Sequence, residues 1–222
     1  MNILITGAGR GIGLALTQHY LPEHKVFATA RNQDALEQLS TMGAKALALD
    51  LNDPTSFATL AGQLSDTPLD VVIHNAGVLY REGTLADINA DAFAHSFAVN
   101  ATAPLLLSRA LQANLEAGQG RKVAFISSVM GSISENQSGG QYSYRASKAA
   151  LNAAARSLAL QWASLPIHVG IYHPGWVQTD MGGSQAPVHV IDSANGLAQQ
   201  IDALDAERSG QFFAFDGRAL PW

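Results

Sequence analysis

Tyr144 and Lys148 stand four residues apart in the run Tyr144-Arg145-Ala146-Ser147-Lys148, with Ser127 and Ser128 seventeen and sixteen residues upstream of the tyrosine. On a helix an i, i+4 pair shares one face, so phenol and ammonium can meet over a common point. A free phenol titrates near ~10 and is a poor acid–base group at neutral pH. A neighbouring ammonium favours the phenolate and lowers that value, poising the hydroxyl to give or take a proton. The same spacing also describes a solvated pair on an exposed helix, so the rest of the chain has to decide between the two.

A second candidate site lies at the start of the chain, where Thr6-Gly7-Ala8-Gly9-Arg10-Gly11-Ile12-Gly13 follows a short β-rich run. A glycine-rich turn between strand and helix lets the backbone approach a pyrophosphate, which then rests on the helix N-terminus. The spacing G-x-G-x-x-G fails at Ile12, whereas Gly7, Gly11 and Gly13 satisfy G-x-x-x-G-x-G. Glycine turns also occur for packing alone, but this one directly follows the first strand of an α/β alternation. NAD sites commonly place an acid at the tip of the second strand, and an arginine there accommodates a 2′-phosphate. Here that run ends Ala28-Thr29-Ala30-Arg31, and Arg10 is a second cation inside the loop. The expected cofactor is therefore NADP(H) rather than NAD(H), since a guanidinium suits bidentate phosphate contact.

These residues need a scaffold, and the pattern supplies one. Strands are expected over residues 2–6, 24–28, 44–49, 69–74, 122–127, 167–172 and 211–215. Helices are expected over 11–20, 33–41, 54–65, 90–118, 142–164 and 193–204. Val71-Val72-Ile73 and Val123-Ala124-Phe125-Ile126 are continuous apolar runs, as in central strands of a parallel sheet covered on both faces. Repeated strand–helix alternation specifies an α/β fold, a doubly wound parallel sheet of about seven strands with helices on both faces. Pro22, Pro68 and Pro166 each precede an expected strand, and Asp53-Pro54 reads as an N-cap with proline at the first helical position. Pro104 interrupts the long helix over 90–118, so a kink or a restart is expected beside Asn100. No linker or repeat is visible, so residues 1–222 read as a single domain.

Composition narrows the class. Of 222 residues, 47% are hydrophobic and only 14% charged, which suits well-buried helices or a subunit interface. A net charge of −5 without any Lys/Arg run argues against nucleic acid as a partner. The absence of cysteine removes disulfides, thiolate catalysis and cysteine-based metal sites. The seven histidines form no ligand motif with one another or with carboxylates, so no metal is expected. Met1-Asn2 runs straight into Ile3-Leu4-Ile5 and glycines, which does not read as a signal peptide, and no run is long enough to span a bilayer. A cytoplasmic protein with no membrane partner is the expectation.

Taken together, Thr6-Gly7-x-x-x-Gly11-x-Gly13, Asn75-Ala76-Gly77, Asn100, Ser128, Tyr144-x-x-x-Lys148 and Pro174-Gly175 resemble the short-chain dehydrogenase/reductase family in order and spacing. The resemblance covers nearly the whole chain. It is strongest to the short carbonyl-reductase branch of C-factor and sniffer, on Tyr142–Lys148, the compact length and the ending Phe215-Asp216-Gly217-Arg218-Ala219-Leu220-Pro221-Trp222. It implies Tyr144 as the proton donor to a carbonyl oxygen, and Lys148 as its tuning cation and a ribose contact. It further implies Ser128 as the holder of the substrate oxygen, and Asn100 as the holder of a relay water. For cofactor binding it implies the loop Gly7, Arg10, Gly11, Ile12 and Gly13, then Arg31, Asp50 and Leu51 by the adenine, Asn75-Ala76-Gly77, and Pro174, Gly175, Val177 and Thr179 around the nicotinamide. In this family the helix after Tyr144 often forms a subunit interface, so a homodimer is expected, with a tetramer as the larger alternative.

Three features depart from the family pattern. His74 stands where an asparagine is usual, so the match there rests on Asn75. Ser128 lies sixteen residues before Tyr144, where about thirteen is commoner; this leaves Ser127 as the alternative, with Ser128 favoured. The segment 180–186 is short, which implies an open site for an apolar, medium-sized carbonyl compound near Trp176, Met181, Val188 and residues 133–140. The leading function is NADP(H)-dependent interconversion of a carbonyl and an alcohol. The alternative is a dinucleotide-binding signalling or regulatory protein with little or no turnover. The joint presence of Asn100, Ser128, Tyr144 and Lys148, which a pure binder does not need, favours the enzyme. An epimerase or dehydratase of the extended relatives is disfavoured by length.

Overall fold

The computed structural model describes residues 1–222. Seven strands form one all-parallel sheet: β1 Asn2–Ile5, β2 Lys25–Ala30, β3 Lys45–Ala48, β4 Val71–His74, β5 Lys122–Ile126, β6 His168–His173 and β7 Phe212–Ala214. Their spatial order is β3-β2-β1-β4-β5-β6-β7. The expected strand β2 extends to Ala30, which puts Arg31 directly at its tip.

Helices cover both faces, which explains why consecutive strand residues are all apolar. Ile3, Ile5, Val71, Ile73 and Ala124 point to one side, against α1 (Gly11–Tyr20) and α8 (Val190–Asp202). Leu4, Val72, Val123 and Phe125 point to the other, against α3 (Pro54–Gln63), α5 (Ala103–Ala110) and α7 (Tyr142–Trp162). Between them α2 (Gln33–Thr41) adds Leu39 to the first core. Local chemistry starts these helices as expected: Asn32 accepts from Ala35 N at 2.8 Å and Asp53 from Thr55 N at 2.9 Å.

The long helix expected over 90–118 is instead four pieces. α4 (Ala90–Phe97) passes into a π-helical turn, Ala98–Thr102, then α5, and then α6 (Gln112–Ala117). Pro104 has no N–H to donate to the Asn100 carbonyl, the bond that an α-helix would require of it. The chain widens by one residue, Ala103 N bonding Ala98 O, rather than breaking.

Reversal of strand order between β1 and β4 opens a crevice at their carboxyl ends, the switch point where α/β sheets take ligands. Thr6–Gly13 follows β1 and Asn75–Gly77 follows β4, so both motifs flank that crevice. No helix is long and apolar enough to cross a membrane.

Candidate active site

A cavity of about 560 Å³ runs along the carboxyl ends of the strands, within the size range of small-molecule sites. Its walls include Gly7, Arg10, Gly11, Ile12, Arg31, Asp50, Leu51, Asn75, Ala76, Gly77, Tyr144, Lys148, Pro174 and Thr179. The remaining expected residues, Gly13, Asn100, Ser128, Gly175 and Val177, are not on this wall.

Gly13 sits behind the loop, where a Cβ would come within 2.4 Å of Gly7 O and 2.5 Å of Asn75 Nδ2. Asn75 occupies that space, its Nδ2 donating to Thr6 O and Gly7 O at 3.0 and 3.1 Å. The glycine motif and the Asn75 motif are thus one packed unit, and Gly13 serves close approach within it. Gly175 makes a left-handed turn at φ +89, and Val177 is buried and bridged to Val188.

Asn100 is fully buried behind the cavity. Its Oδ1 accepts from Val78 N at 2.8 Å, and its Nδ2 donates to Val78 O at 2.9 Å and to Ser147 Oγ at 3.0 Å. Both amide hydrogens are therefore used in tying the π turn to the segment after β4 and to α7. A Cβ on Gly77 would lie 3.2 Å from Asn100 Oδ1 and 3.7 Å from Lys148 Nζ, so these two groups flank that glycine. Ser147, which the sequence reading did not single out, has only its place beside Lys148 as a signal.

Lys148 is buried and donates from Nζ to Ile126 O at 2.8 Å, anchoring α7 to the tip of β5. Its Nζ lies 5.8 Å from the centre of the Tyr144 ring. Burial pulls the Lys148 ammonium down to about 8. The same burial pushes the Tyr144 phenol up to about 12, against a smaller lowering by the Ser128 hydroxyl. Desolvation, not the lysine, sets the direction of the phenol here, and the Lys148 ammonium is directed at the Ile126 carbonyl.

The two serines separate clearly. Ser127 is on the cavity wall, but its buried Oγ is spent on Asn152 Oδ1, at 2.5 Å. Ser128 is the residue whose hydroxyl faces Tyr144, and it also accepts from Met130 N at 3.1 Å, fixing the short 3-10 turn Val129–Gly131. That turn abuts α7, since a Cβ on Gly131 would meet Lys148 C at 2.8 Å. The sixteen-residue spacing is absorbed by this turn and the loop that follows it.

Arg31 lines the cavity and makes no ion pair, whereas Arg10 pairs with Asp180 at 2.5 Å, the one ion pair in the molecule. Both side chains of that pair are largely exposed, so it holds Arg10 only weakly at the cavity mouth, and Arg31 stands unpaired at the tip of β2. Arg81 Nη2 donates to Met181 O at 3.2 Å, holding the same crossing segment from the other side. The Thr179 hydroxyl is used within that segment, accepting from Gly182 N at 3.1 Å. Asp50 Oδ1 accepts from Asn52 N and Nδ2 beside the cavity. No group of metal-ligating side chains is assembled anywhere.

A family model described as short chain dehydrogenase matches residues 1–188, and the chain belongs to that family of oxidoreductases. The C-signal of Myxococcus xanthus is 43% identical over 155 residues, covering 70% of this chain and 93% of that protein. The carbonyl reductase Sniffer of D. melanogaster superimposes with a TM-score of 0.94 at 34% identity, covering 100% of this chain and 99% of that one. The NADPH-bound carbonyl reductase from chicken fatty liver gives 0.92 at 32%, covering 100% and 98%.

Proposed function

We propose that this chain is an NADP(H)-dependent oxidoreductase that interconverts a carbonyl compound and its alcohol. The observation that carries the reading is one continuous cavity with the glycine loop and Arg31 at one end and Tyr144 and Lys148 on its wall. The residues fit a dinucleotide: the loop main chain faces the cavity at Gly7, Gly9 and Gly11, and Arg31 has no acidic partner. When bound, the nicotinamide supplies the hydride.

The residues of the chain do the rest. A phenol held protonated, as burial holds Tyr144, is a proton donor to the carbonyl oxygen during reduction. Ser128 donates to that same oxygen and holds it against the phenol. Lys148 would hold the cofactor ribose and return a proton to Tyr144, its depressed ammonium being readier to give one. Asn100, which ties the π turn to Val78 and Ser147, would hold the relay water that connects Lys148 to solvent. Met181 lines the cavity and is exposed there, an apolar group that would border the substrate. The supporting comparison is the NADPH-bound carbonyl reductase at 32% identity.

Tyr144→Phe tests the reading. Carbonyl reduction followed by NADPH absorbance should fall by about 10²–10⁴-fold, with NADPH affinity by fluorescence titration unchanged. A variant that keeps substantial turnover removes Tyr144 as the acid. Quinones, aromatic aldehydes and diketones form the substrate panel. The likeness to C-signal favours a second reading, a dinucleotide-binding signalling protein with little turnover, which applies if the wild type reduces none of the panel. We also propose a homodimer built on the outward face of α7.

A further inference from the structure

The approach to α7 is held from outside the helix. Gln141, at its N-cap, has φ +52 and its side chain makes no cap bond; Gly140 before it has φ +64. A glutamine in the left-handed region persists only where its surroundings over-determine it. Here the surroundings are Glu82, on the connection that follows β4. Its main-chain oxygen accepts from Gln141 N at 2.6 Å, and its carboxylate Oε2 accepts from Ser143 N at 2.7 Å. Glu82 is 2% exposed, has no basic group within ion-pair distance, and its Oε1 has no partner. A buried carboxylate without a cation is unfavourable. What offsets it is the N-terminal end of α7, its free amides and its dipole. The residue after Ser143 is Tyr144.

We propose that Glu82 is a positioning residue for the Tyr144 phenol, capping the first turn of α7 from another part of the chain. The inference rests on the proton-donor reading of Tyr144 given above. Tyr144 lies within the turn that Glu82 clamps, whereas Lys148 lies a turn further on and is separately anchored to Ile126 O. Loss of the Glu82 acceptor therefore loosens the phenol and leaves the lysine and the cofactor wall in place.

The test compares Glu82→Ala with Glu82→Gln, which keeps a neutral oxygen able to accept from Ser143 N. Steady-state kinetics use NADPH and a carbonyl substrate that the wild type reduces, alongside amide exchange over residues 142–148. In Glu82→Ala, kcat should fall by about ten- to a hundredfold, with the KM for NADPH within about twofold of wild type and the Ser143 amide exchanging faster. Glu82→Gln should recover most of kcat. Should Glu82→Ala not fold, Glu82→Asp, too short to reach Ser143 N, takes its place with the same expected loss. A kcat equal to wild type with only a lower melting temperature overturns the proposal, as does a Glu82→Gln variant no better than the alanine one. If the wild type itself reduces no carbonyl compound, the proposed function fails instead. Amide exchange at Ser143 then still reads whether Glu82 holds the turn.

Discussion

Burial moves Tyr144 and Lys148 in opposite directions on the pH scale and toward the same result, a less charged pair. The phenol rises to about 12 and the ammonium falls to about 8, because a desolvated site disfavours whichever form carries charge. A phenol kept protonated suits the reductive direction proposed for it. At the glycine-loop end of the cavity, Arg31 has no ionic partner, while Arg10 shares only a solvent-exposed pair with Asp180. Arg31→Ala should therefore raise the KM for NADPH by about ten- to a hundredfold, the range of one charge-assisted bond of about 1.5–3 kcal/mol. The KM for NADH should change little. Equal losses for the two cofactors would refute the 2′-phosphate assignment.

Among the elements, the connections after β4 and β5 bring the site together. His74, at the end of β4, stacks on Phe125 of β5 and bonds through Nε2 to Ser108 of α5 at 2.8 Å. Burial holds its ring far down, at about 3, so it is neutral in the folded chain across most of the acid range. The unfolded chain takes up that proton below about 6.5. Between roughly pH 6.5 and 3 the unfolded state binds more protons, and stability falls as pH falls, by about 1.4 kcal/mol per unit. His173, pulled down to about 4 by burial, acts in the same direction. His74→Asn should then lose about 2.6 kcal/mol less stability than wild type between pH 7 and 4.5 in urea unfolding. Parallel pH dependences for the two proteins would remove His74 as the source. Asn100 makes the companion point: Pro104 forces the π turn, and that turn carries the asparagine inward to bond Val78 and Ser147.

For the whole molecule, both faces of the sheet are filled and the site lies where strand order reverses. On α7, Leu151, Ala155, Ala159 and Trp162 are spent in the core, while Leu160 is 63% exposed beside exposed Arg156, Ser157 and Gln161. The proposed homodimer buries this face, and light scattering should return twice the 23.4 kDa chain mass; a monomer mass rules it out. The seven strands, their alternation with helices and the two loop motifs that flank the cavity were legible from sequence, because apolar runs, glycines and prolines act on their near neighbours. The tyrosine–lysine pair was legible for the same reason, being one helical turn apart. The four-part division of the 90–118 stretch was only half legible: Pro104 announced a disturbance, but whether the chain would kink or widen depended on what packed against it. The direction of the Tyr144 shift, the pairing of Arg10 with Asp180 and the hold of Glu82 on Ser143 were decided by tertiary structure alone. The two pairs join residues 170 and 61 positions apart. The shift depends on burial, which arises only once distant segments close over the site.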